Sequence, residues 1–344
     1  MRRLVHEKEH DRDMKAYAVS AFTGPLEEID AAEPRVGRSD VLVRVRAAGV
    51  NVLDEKIRLG EFRQILPHAF PLVLGHDLAG TVIRVGADVR GLKPGDTVYG
   101  RPDDQHIGTF AERIAVPESD LAIAPASVDI EAAASFPLVA LTAWQALVER
   151  GRVQAGQKVL IHGGAGGVGS LAIQLAKHLG ATVATTAGSA SAQFVRELGA
   201  DIVIDYRTED FEQQLSGFDL VLDSIGGENL EKSLRILKPG GRAIGIAGPP
   251  DPQFARDAGL NPLVRLAIRG LSAKVRRQAR KLGVSYEFLF MRASGEQLRR
   301  IARLVDDGVL RPAVGRVLPF DQTAEALRLV AAGEGRGKTV VSMP

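Results

Sequence analysis

Hydrophobic and polar positions follow one pattern in the first third of the chain and another pattern after it. Up to about Ser127, short β-rich runs alternate with turns that contain glycine and proline, which predicts a β-rich domain with little helix. These runs cover residues 41–45, 72–74, 80–85 and 96–99. From about Ile130, helical patterns alternate with buried strands, as is typical of a doubly wound parallel sheet in an α/β domain. The predicted strands cover residues 159–162, 182–186, 201–205, 218–223 and 242–246.

The end of the chain carries too few elements for a third domain. A predicted helix over residues 295–307 precedes two short β-like runs at residues 317–319 and 339–341, so we expect this segment to return to the first domain. The start of the chain, MRRLVHEKEHDRD, mixes both charge signs without hydrophobic period and predicts a disordered extension. The predicted organisation is therefore an extension at residues 1–13, a β-rich domain of residues 14–134 and 285–344, and an α/β domain of residues 135–284.

A glycine-rich turn links the first strand of the predicted α/β domain to its first helix. An apolar strand over residues 159–161 is followed by apolar residues at helical spacing until Gly180, which is expected to end the helix. Those helical positions are Val168, Leu171, Ala172, Leu175 and Leu179. Between them, Gly164, Gly166 and Gly169 form the pattern G-x-G-x-x-G. The three glycines are expected to permit a tight turn, close approach of a pyrophosphate and close helix packing, respectively, which predicts a dinucleotide site.

The second strand of this domain favours NADP(H) over NAD(H). A site that prefers NAD normally places an acid about 20 residues after the glycine turn, where it binds the ribose 2′-hydroxyl. No acid occurs between Ser170 and Arg196, and the strand ends in the run T-T-A-G-S at residues 185–189. A carboxylate at that point would repel a 2′-phosphate. Arg196, Tyr206 and Arg207 are candidates to meet this phosphate, although Arg196 equally fits a solvated helix position.

Composition sets further limits. With 344 residues, 45% hydrophobic and 25% charged, the chain is long enough for two domains with their own cores, and its net charge of +2 predicts no special partner. The absence of cysteine excludes disulfides, a cysteine nucleophile and cysteine-ligated zinc, and it fits a reducing compartment. No apolar run reaches the roughly 18 residues of a membrane span and no secretory signal is found, so we expect a cytoplasmic protein.

Basic residues are concentrated in one segment, residues 265–281. The cluster consists of Arg265, Arg269, Lys274, Arg276, Arg277, Arg280 and Lys281. Binding to nucleic acid or to an anionic membrane is one interpretation of such a cluster. Because the segment lacks interleaved aromatic residues, we favour a solvated helical or edge segment and predict no nucleic-acid partner.

Several sequence blocks occur in a fixed order along nearly the whole chain. They are GVNVLDEKIRLG from Gly49, FPLVLGHDLAGTVIRVG from Phe70, KPGDTVYG from Lys93, ALTAWQAL from Ala140, LGADIVIDYRTEDF from Leu198, FDLVLDSIGG from Phe218 and GKTVV from Gly337. Together with the glycine turn, these blocks resemble the zinc-independent quinone oxidoreductase branch of the medium-chain dehydrogenase/reductase superfamily. The blocks YEFLFMRASGEQL and DDGVLRPAVGRVLPF, from Tyr286 and Asp306, are further similar to its reticulon-interacting NAD(P)H oxidoreductase subgroup.

The resemblance implies a GroES-like catalytic domain, formed by both chain ends, that faces a Rossmann NADP(H)-binding domain across a cleft. It also implies a homodimer and a set of cofactor-binding residues. Asn51 and Thr142 would lie beside the nicotinamide and its ribose, Gly166, Gly167 and Val168 at the pyrophosphate, Ser189 and Tyr206 near the 2′-phosphate, Ile225 and Gly226 after the fourth strand, Phe288 to Phe290 near the carboxamide, and Lys338 by the cleft.

A metal site is the main alternative that the resemblance raises. His76 and Asp54 occupy positions where zinc-dependent members carry two metal ligands, but the third position falls at about Leu138, which cannot coordinate. A catalytic zinc usually needs three protein ligands, and the four-cysteine lobe of a structural zinc is missing. We therefore predict no metal, and a zinc-type alcohol dehydrogenase stays the alternative hypothesis.

Four polar residues are candidates for catalysis: Asn51, Asp54, Lys56 and His76. His76 could orient substrate or relay a proton, or it could be a hydrogen-bonded core histidine. Asp54 and Lys56 share one loop and could act as an acid, a substrate clamp or an ion pair. From their family positions, we favour a role for Asn51 and Asp54 beside the cofactor.

The predicted function is reduction of a quinone or an α,β-unsaturated carbonyl by direct hydride transfer from NADPH. The proton would come from water or from a side chain of the cleft, and no metal would be needed. A protein that binds NADPH without turnover, as a scaffold or sensor, is an alternative, because an intact cofactor turn does not prove catalysis.

Overall fold

The computed structural model of the protein describes residues 13–344. The predicted extension lies outside this part of the chain, apart from Asp13, which begins the first strand. The strands are β1 (Asp13–Val19), β2 (Glu27–Ala32), β3 (Asp40–Val50), β4 (Leu72–Val73), β5 (Asp77–Val85), β6 (Thr97–Gly100), β7 (Arg113–Pro117), β8 (Leu121–Ile123), β9 (Lys158–Ile161), β10 (Thr182–Ala187), β11 (Ile202–Asp205), β12 (Phe218–Asp223), β13 (Leu237–Gly245), β14 (Ser285–Phe288), β15 (Val314–Pro319) and β16 (Lys338–Ser342). The helices are α1 (Val52–Arg58), α2 (Ile130–Ala134), α3 (Pro137–Trp144), α4 (Gly167–His178), α5 (Ala192–Glu197), α6 (Phe211–Gln214), α7 (Gly227–Ile236), α8 (Pro252–Asp257), α9 (Pro262–Leu271), α10 (Ala273–Lys281), α11 (Gly295–Asp306) and α12 (Thr323–Ala331).

The first domain contains a seven-stranded sheet and a three-stranded sheet. The larger sheet has the order β15-β16-β3-β5-β6-β8, with β7 also paired to β3, and the smaller has the order β2-β1-β4. β16 pairs antiparallel with β3, so that Val341 lies opposite Ala48. The end of the chain therefore returns to the first domain, as its two short β-like runs predict. Both partners in this pair are fully buried, which places the return strand in the core.

Six parallel strands form the sheet of the second domain, in the order β11-β10-β9-β12-β13-β14. Numbered within this sheet, the order is 3-2-1-4-5-6, which is the Rossmann order, and the predicted α/β fold class is confirmed. β9 lies near the middle, and its residues Val159, Leu160 and Ile161 are all 0% exposed because helices cover both faces. The strand order reverses between β9 and β12. A crevice is therefore expected at the carboxyl ends of these two strands.

β14 corrects the predicted domain boundary. Residues Ser285–Phe288 pair in parallel with β13, from Arg242 opposite Ser285 to Gly245 opposite Phe288. They belong to the sheet of the second domain, although the sequence placed them in the first. A four-residue run with one buried side chain gives little local signal, so its sheet is set by pairing with β13. β13 itself begins at Leu237, earlier than the predicted residue 242, and contains a register irregularity near its start.

Two hydrogen bonds tie elements together beside the crevice. Gly337 donates its backbone N–H to the carbonyl oxygen of Ala165 at 3.1 Å, which joins the start of β16 to the glycine turn. Tyr99 of β6 donates its hydroxyl to the carbonyl oxygen of Leu298 in α11 at 2.6 Å. Burial raises the pKa of Tyr99, so its hydroxyl stays protonated and able to donate. Among the helices of residues 13–344, none combines the length and apolar character that a membrane crossing requires.

Candidate functional site

The glycine turn connects β9 to α4 as predicted, but the structural role of each glycine differs from the prediction. The residue with left-handed backbone is Gly163, at φ 66°, so the prediction that Gly164 permits the turn is corrected. At position 164 a glycine is required for a steric reason instead, because a Cβ there would lie 2.2 Å from the Thr185 hydroxyl oxygen. A Cβ on Gly169 would lie 2.3 Å from the Gly163 carbonyl oxygen, so Gly169 allows α4 to pack against the turn.

Gly166 differs from Gly164 and Gly169 because a Cβ there would contact only one neighbouring atom. A Cβ on Gly166 would come no closer than 3.3 Å to a neighbouring atom, the carbonyl oxygen of Gly163. Gly166 is also the residue that immediately precedes α4. Backbone N–H groups at the start of a helix are unpaired within the helix and carry the positive end of its dipole. The turn therefore forms a cradle that fits a pyrophosphate.

The fourth strand, β12, ends in a turn held by the buried Asp223. One carboxylate oxygen of Asp223 accepts hydrogen bonds from the N–H groups of Ile225 and Gly226, at 2.9 and 2.6 Å. Gly226 has φ 75°, which explains a glycine at this point. Ser224 lies between them and donates its hydroxyl to the carbonyl oxygen of His162, at the end of β9. These bonds fix the two strand ends on either side of the crevice.

The buried side chain of His162 links the strand ends that border the crevice. Its ring nitrogens lie 3.1 Å from the Thr186 hydroxyl and 2.9 Å from the Ser233 hydroxyl. Burial lowers the pKa of His162, and the charge of Asp223 opposes this effect. A neutral, fully bonded imidazole suits a residue that holds strand ends in place.

The ends of β10 and β11 form a second polar region. Ser189 and Tyr206 are exposed there, and the Ser189 N–H donates to a carboxylate oxygen of Asp205 at 3.1 Å. Asp205 is an acid that sequence spacing did not identify, because it comes from the third strand of the sheet. The guanidinium carbon of Arg207 lies 3.6 Å from the position of a Cβ on Gly188 and 5.6 Å from the centre of the Tyr206 ring. A basic group thus stands beside the predicted 2′-phosphate position, whereas Arg196 lies on α5.

A cavity of about 380 Å³ lies between the two domains. The predicted site residues that line it are Asn51, Lys56, Thr142, Gly166, Gly167, Val168, Gly169, Phe288, Phe290 and Lys338. The predicted residues outside its lining are Asp54, His76, Gly164, Ser189, Tyr206, Ile225 and Gly226. Leu53, Phe62, Leu138 and Met291 add further apolar surface. The volume falls within the range of small-molecule sites, roughly 300–1,000 Å³.

A buried ionic network supports one wall of the cavity. One oxygen of Asp77 accepts hydrogen bonds from the Lys338 ammonium group and the Asn51 side-chain amide, both at 3.0 Å. Its other oxygen accepts the Leu138 N–H at 2.7 Å. Lys338 also donates to the Asn51 side-chain oxygen and to the Val50 carbonyl oxygen. Two residues distant in sequence, Asn51 and Lys338, are therefore held together at the cavity surface.

Asp54 and His76 form a pair behind this wall, and both are 0% exposed. A carboxylate oxygen of Asp54 lies 2.5 Å from His76 Nδ1, and the other accepts the Asn51 N–H at 2.7 Å. The structure does not bring either side chain to the cavity surface. Lys56 does line the cavity, and it forms an exposed ion pair with Glu61 at 3.1 Å.

The donor set at this point does not fit a catalytic zinc. Both oxygens of Asp54 and one nitrogen of His76 are engaged in hydrogen bonds, and Leu138 presents no ligand atom. Within residues 13–344, no three His, Asp or Glu side chains are grouped closely enough to share a metal ion. Zinc in proteins needs three or four nitrogen, sulfur or oxygen ligands, so the pair alone is insufficient.

Sequence reasoning missed three notable residues of the site. Asp77 is its central carboxylate, and Phe62 and Arg101 line the cavity. Arg101 carried one available signal, since a charged residue directly follows a buried β-rich run at the carboxyl end of β6. The basic segment, by contrast, forms α9 and α10, and none of its residues lines the cavity. Its predicted helical character is confirmed.

Comparisons with known proteins agree with this architecture. Residues 37–126 match the alcohol dehydrogenase GroES-like domain, and residues 198–341 match the zinc-binding dehydrogenase family. The NAD(P)H oxidoreductase RTN4IP1, mitochondrial, of Danio rerio is 37% identical over 326 residues, which cover 89% of this chain and 84% of that protein. The NADPH-dependent alkenal/one oxidoreductase, chloroplastic, of Arabidopsis thaliana is 33% identical over 343 residues, with 96% and 80% covered.

A solved structure shows the same fold. The quinone oxidoreductase from Coxiella burnetii superposes with a TM-score of 0.85 at 31% sequence identity, covering 97% of this chain and 100% of that chain. The superposition covers the GroES-like sheet and the parallel sheet of Rossmann order in this chain. The chain therefore belongs to the medium-chain dehydrogenase/reductase superfamily and lies close to its NAD(P)H and quinone oxidoreductases.

Proposed function

We propose that the protein is an oxidoreductase that transfers a hydride from NADPH to a quinone or an α,β-unsaturated carbonyl. The observation that carries this proposal is the continuity of the glycine cradle with an apolar cavity between the domains. Gly166 and Gly167 of the cradle line this cavity together with the aromatic side chains of Phe62, Phe288 and Phe290. Relatives named as quinone and alkenal/one oxidoreductases support the same acceptor class.

NADPH supplies the hydride when it is bound, and the side chains of the cavity supply position and environment. Gly166, Gly167 and Val168 are proposed to hold the pyrophosphate through backbone N–H groups at the start of α4. Asn51 and Thr142 are proposed to contact the nicotinamide and its ribose. The Thr142 hydroxyl already donates to the Leu138 carbonyl oxygen at 2.7 Å, so its oxygen is oriented to accept a hydrogen bond.

The buried polar residues are proposed to act through Asn51. Asp54 fixes its backbone, Lys338 and Asp77 fix its side chain, and His76 holds Asp54. A positioned amide costs little reorganisation when ligand binds, which favours an oriented reaction complex. Asp54 and His76 are thus proposed as positioning residues, and the final proton is proposed to come from water or from Lys56 at the cavity surface.

The experiment that tests the proposed function measures oxidation of NADPH with a panel of quinones and enones. Turnover with members of this panel is expected, and reduction of NADP⁺ by simple alcohols is not, because the cavity is largely apolar and the donor set around Asp54 and His76 does not fit a zinc ion that would bind an alkoxide. Tight NADPH binding without turnover of any acceptor would instead indicate the scaffold or sensor function.

We further propose that the protein forms a homodimer and that it functions in the cytoplasm. β14 ends the parallel sheet and has one strand neighbour, β13, among the residues described, so its other edge is free for a second copy. The cytoplasm is proposed because a cysteine-free chain needs no oxidising compartment. Sedimentation velocity is expected to give a dimer mass, and a single species at 36.8 kDa would contradict the dimer.

Gly166→Asp is predicted to abolish NADPH binding while the protein still folds. The new carboxylate would enter the space where the pyrophosphate approaches and would repel it. Calorimetry with NADPH measures the loss, and thermal unfolding checks the fold. Gly270→Asp is the matched control, because a Cβ at this helical glycine meets no atom within 4 Å and it lies outside the cavity lining. Unchanged NADPH affinity in Gly166→Asp would contradict the assigned cradle.

Arg207→Ala is predicted to weaken NADPH binding about tenfold and to leave NADH binding unchanged. A guanidinium–phosphate hydrogen bond contributes about 1.5–3 kcal/mol, and about 1.4 kcal/mol corresponds to tenfold in affinity. Calorimetry with both cofactors measures the difference. Arg196→Ala is the control, since it tests the competing candidate for the phosphate. An equal loss for NADPH and NADH in Arg207→Ala would contradict a 2′-phosphate contact.

His76→Ala is predicted to lower kcat by about tenfold or less, because it loosens Asp54 and Asn51 without removing a contact to substrate. The parent protein is expected to contain far less than one zinc per chain and to stay active after exhaustive chelation. Elemental analysis and steady-state kinetics measure both quantities, with the exposed His178→Ala as control. Stoichiometric zinc that is lost together with activity in His76→Ala would restore the alcohol dehydrogenase hypothesis.

A further inference from the structure

Arg101 is a buried cation in the cavity wall that lacks most of its hydrogen-bond partners. Its side chain is 1% exposed, and it lines the cavity just beyond the end of β6. Nη2 donates to a carboxylate oxygen of Asp104. Nε and Nη1 are buried and have no partner anywhere in residues 13–344. Because arginine carries one N–H on Nε and two on Nη1, three donors are buried without a hydrogen-bond acceptor in the described part of the chain.

Buried donors without acceptors destabilise the folded protein unless a bound ligand supplies the missing acceptors. A buried donor without a partner costs about 1–3 kcal/mol, and more when the group is charged. Lys338, the other buried cation of the cavity wall, has three acceptors around its ammonium group. Lys338 has its hydrogen-bond acceptors within the protein, and Arg101 does not. This difference indicates that the missing acceptor of Arg101 is an oxygen atom of the bound substrate.

Neither His68 nor His76 accepts a hydrogen bond from Arg101. His68 Nε2 and His76 Nε2 are also buried without a partner in the part of the chain described. Burial lowers the pKa of His68, the neighbouring His76 lowers it further, and Asp104 opposes both effects. His68 therefore lies within electrostatic range of both His76 and Asp104, the residue that holds Arg101.

Charge selects which oxygen Arg101 would bind. Asp104 already pairs with the guanidinium, and Asp120 lies close by, where burial raises its pKa and the charge of Arg101 opposes the effect. An acceptor with its own carboxylate would bring a further negative charge beside these acids. A neutral carbonyl would not, and its hydrogen bonds to a cation strengthen as negative charge grows on the oxygen.

We propose that Arg101 is a catalytic residue that donates its free N–H groups to the carbonyl oxygen of a neutral quinone or enone. This inference rests on the proposed function. In the reaction, the hydride forms a new C–H bond on the acceptor, and the π electrons move onto the carbonyl oxygen. The oxyanion formed is held by Arg101, and one proton from water or Lys56 completes the reduction while NADPH is oxidised to NADP⁺. Asp104 is the positioning residue that orients the guanidinium.

Two kinds of variant test the role of Arg101. Arg101→Met keeps the apolar stem and removes the donors, whereas Arg101→Lys keeps the charge and loses the planar fork. Arg299→Met, at an exposed arginine of α11, is the matched control. Arg101→Met is expected to lower kcat at least about 100-fold, as loss of an oxyanion donor does, with unchanged affinity for NADPH. Arg101→Lys is expected to fall between this variant and the parent.

A binding measurement reports the oxyanion contact without turnover. 4-Nitrophenol is titrated by absorbance in the complex of each variant with NADP⁺, which gives the pKa of the bound phenol. The parent and Arg299→Met are expected to lower that pKa, because Arg101 stabilises the phenolate, and Arg101→Met is expected to lose the effect. Thermal unfolding checks each fold. If Arg101→Met does not fold, Arg101→Lys carries the same two measurements.

The outcomes separate this inference from the proposed function. An active parent whose kcat and bound-phenol pKa are the same in Arg101→Met would overturn the role of Arg101. Loss confined to acceptors that carry a carboxylate would also overturn it, because Arg101 would then be an anchor for an anion. A parent that reduces no quinone or enone, yet lowers the phenol pKa through Arg101, would remove the proposed function and retain the oxyanion contact.

Discussion

The buried carboxylate of Asp77 is the interaction on which the cleft depends. It is 0% exposed and accepts hydrogen bonds from Lys338, Asn51 and Leu138, which come from a strand, a loop and a helix far apart in sequence. A buried ion pair that loses one partner costs about 3–5 kcal/mol, because the remaining charge stays uncompensated. The network therefore enforces one arrangement of the cavity wall, and the return of the chain end to the first domain is a condition for it.

This network also explains how buried polar residues can hold the cavity wall in place while the lining of the cavity is mostly apolar. Asp54 pairs with Nδ1 of His76 behind the wall, so the carboxylate that holds the Asn51 backbone lies outside the cavity lining. The cavity presents aromatic and aliphatic side chains, with few polar groups placed among them. An acceptor that fills the cavity would displace water from this surface, and each remaining hydrogen bond would then have a larger electrostatic effect than it has in solvent.

Arg101 has a particular place in that arrangement. A catalytic zinc would supply a positive charge that polarises an acceptor oxygen, but the donor set around His76 does not fit this ion. The guanidinium of Arg101 belongs to a residue that lines the cavity, and its Nε and Nη1 have no hydrogen-bond partner within residues 13–344. A cation supplied by the chain itself would let the reaction proceed without a metal.

The sequence by itself determined what depends on short-range pattern. The glycine turn, the helix that stops just before Gly180 and the parallel strands follow from hydrophobic period and backbone conformation, and so the Rossmann domain and its dinucleotide site were predictable. Order and spacing of local blocks also indicated the family. The limits of this reasoning appear at β14, whose four residues carry too little period to assign them to a sheet before they pair with β13.

Only the tertiary structure decided which polar residues reach the cavity. Sequence reasoning proposed four catalytic candidates: Asn51, Asp54, Lys56 and His76. Only Asn51 and Lys56 line the cavity, since side-chain direction depends on packing between β5, α1 and the C-terminal strand. The partners of Asp77 and the unpaired donors of Arg101 are likewise contacts between distant segments, and no local pattern encodes them. The burial of a polar side chain and its hydrogen-bond partners depend on contacts between segments that are distant in sequence, so they are known only once the whole chain is folded.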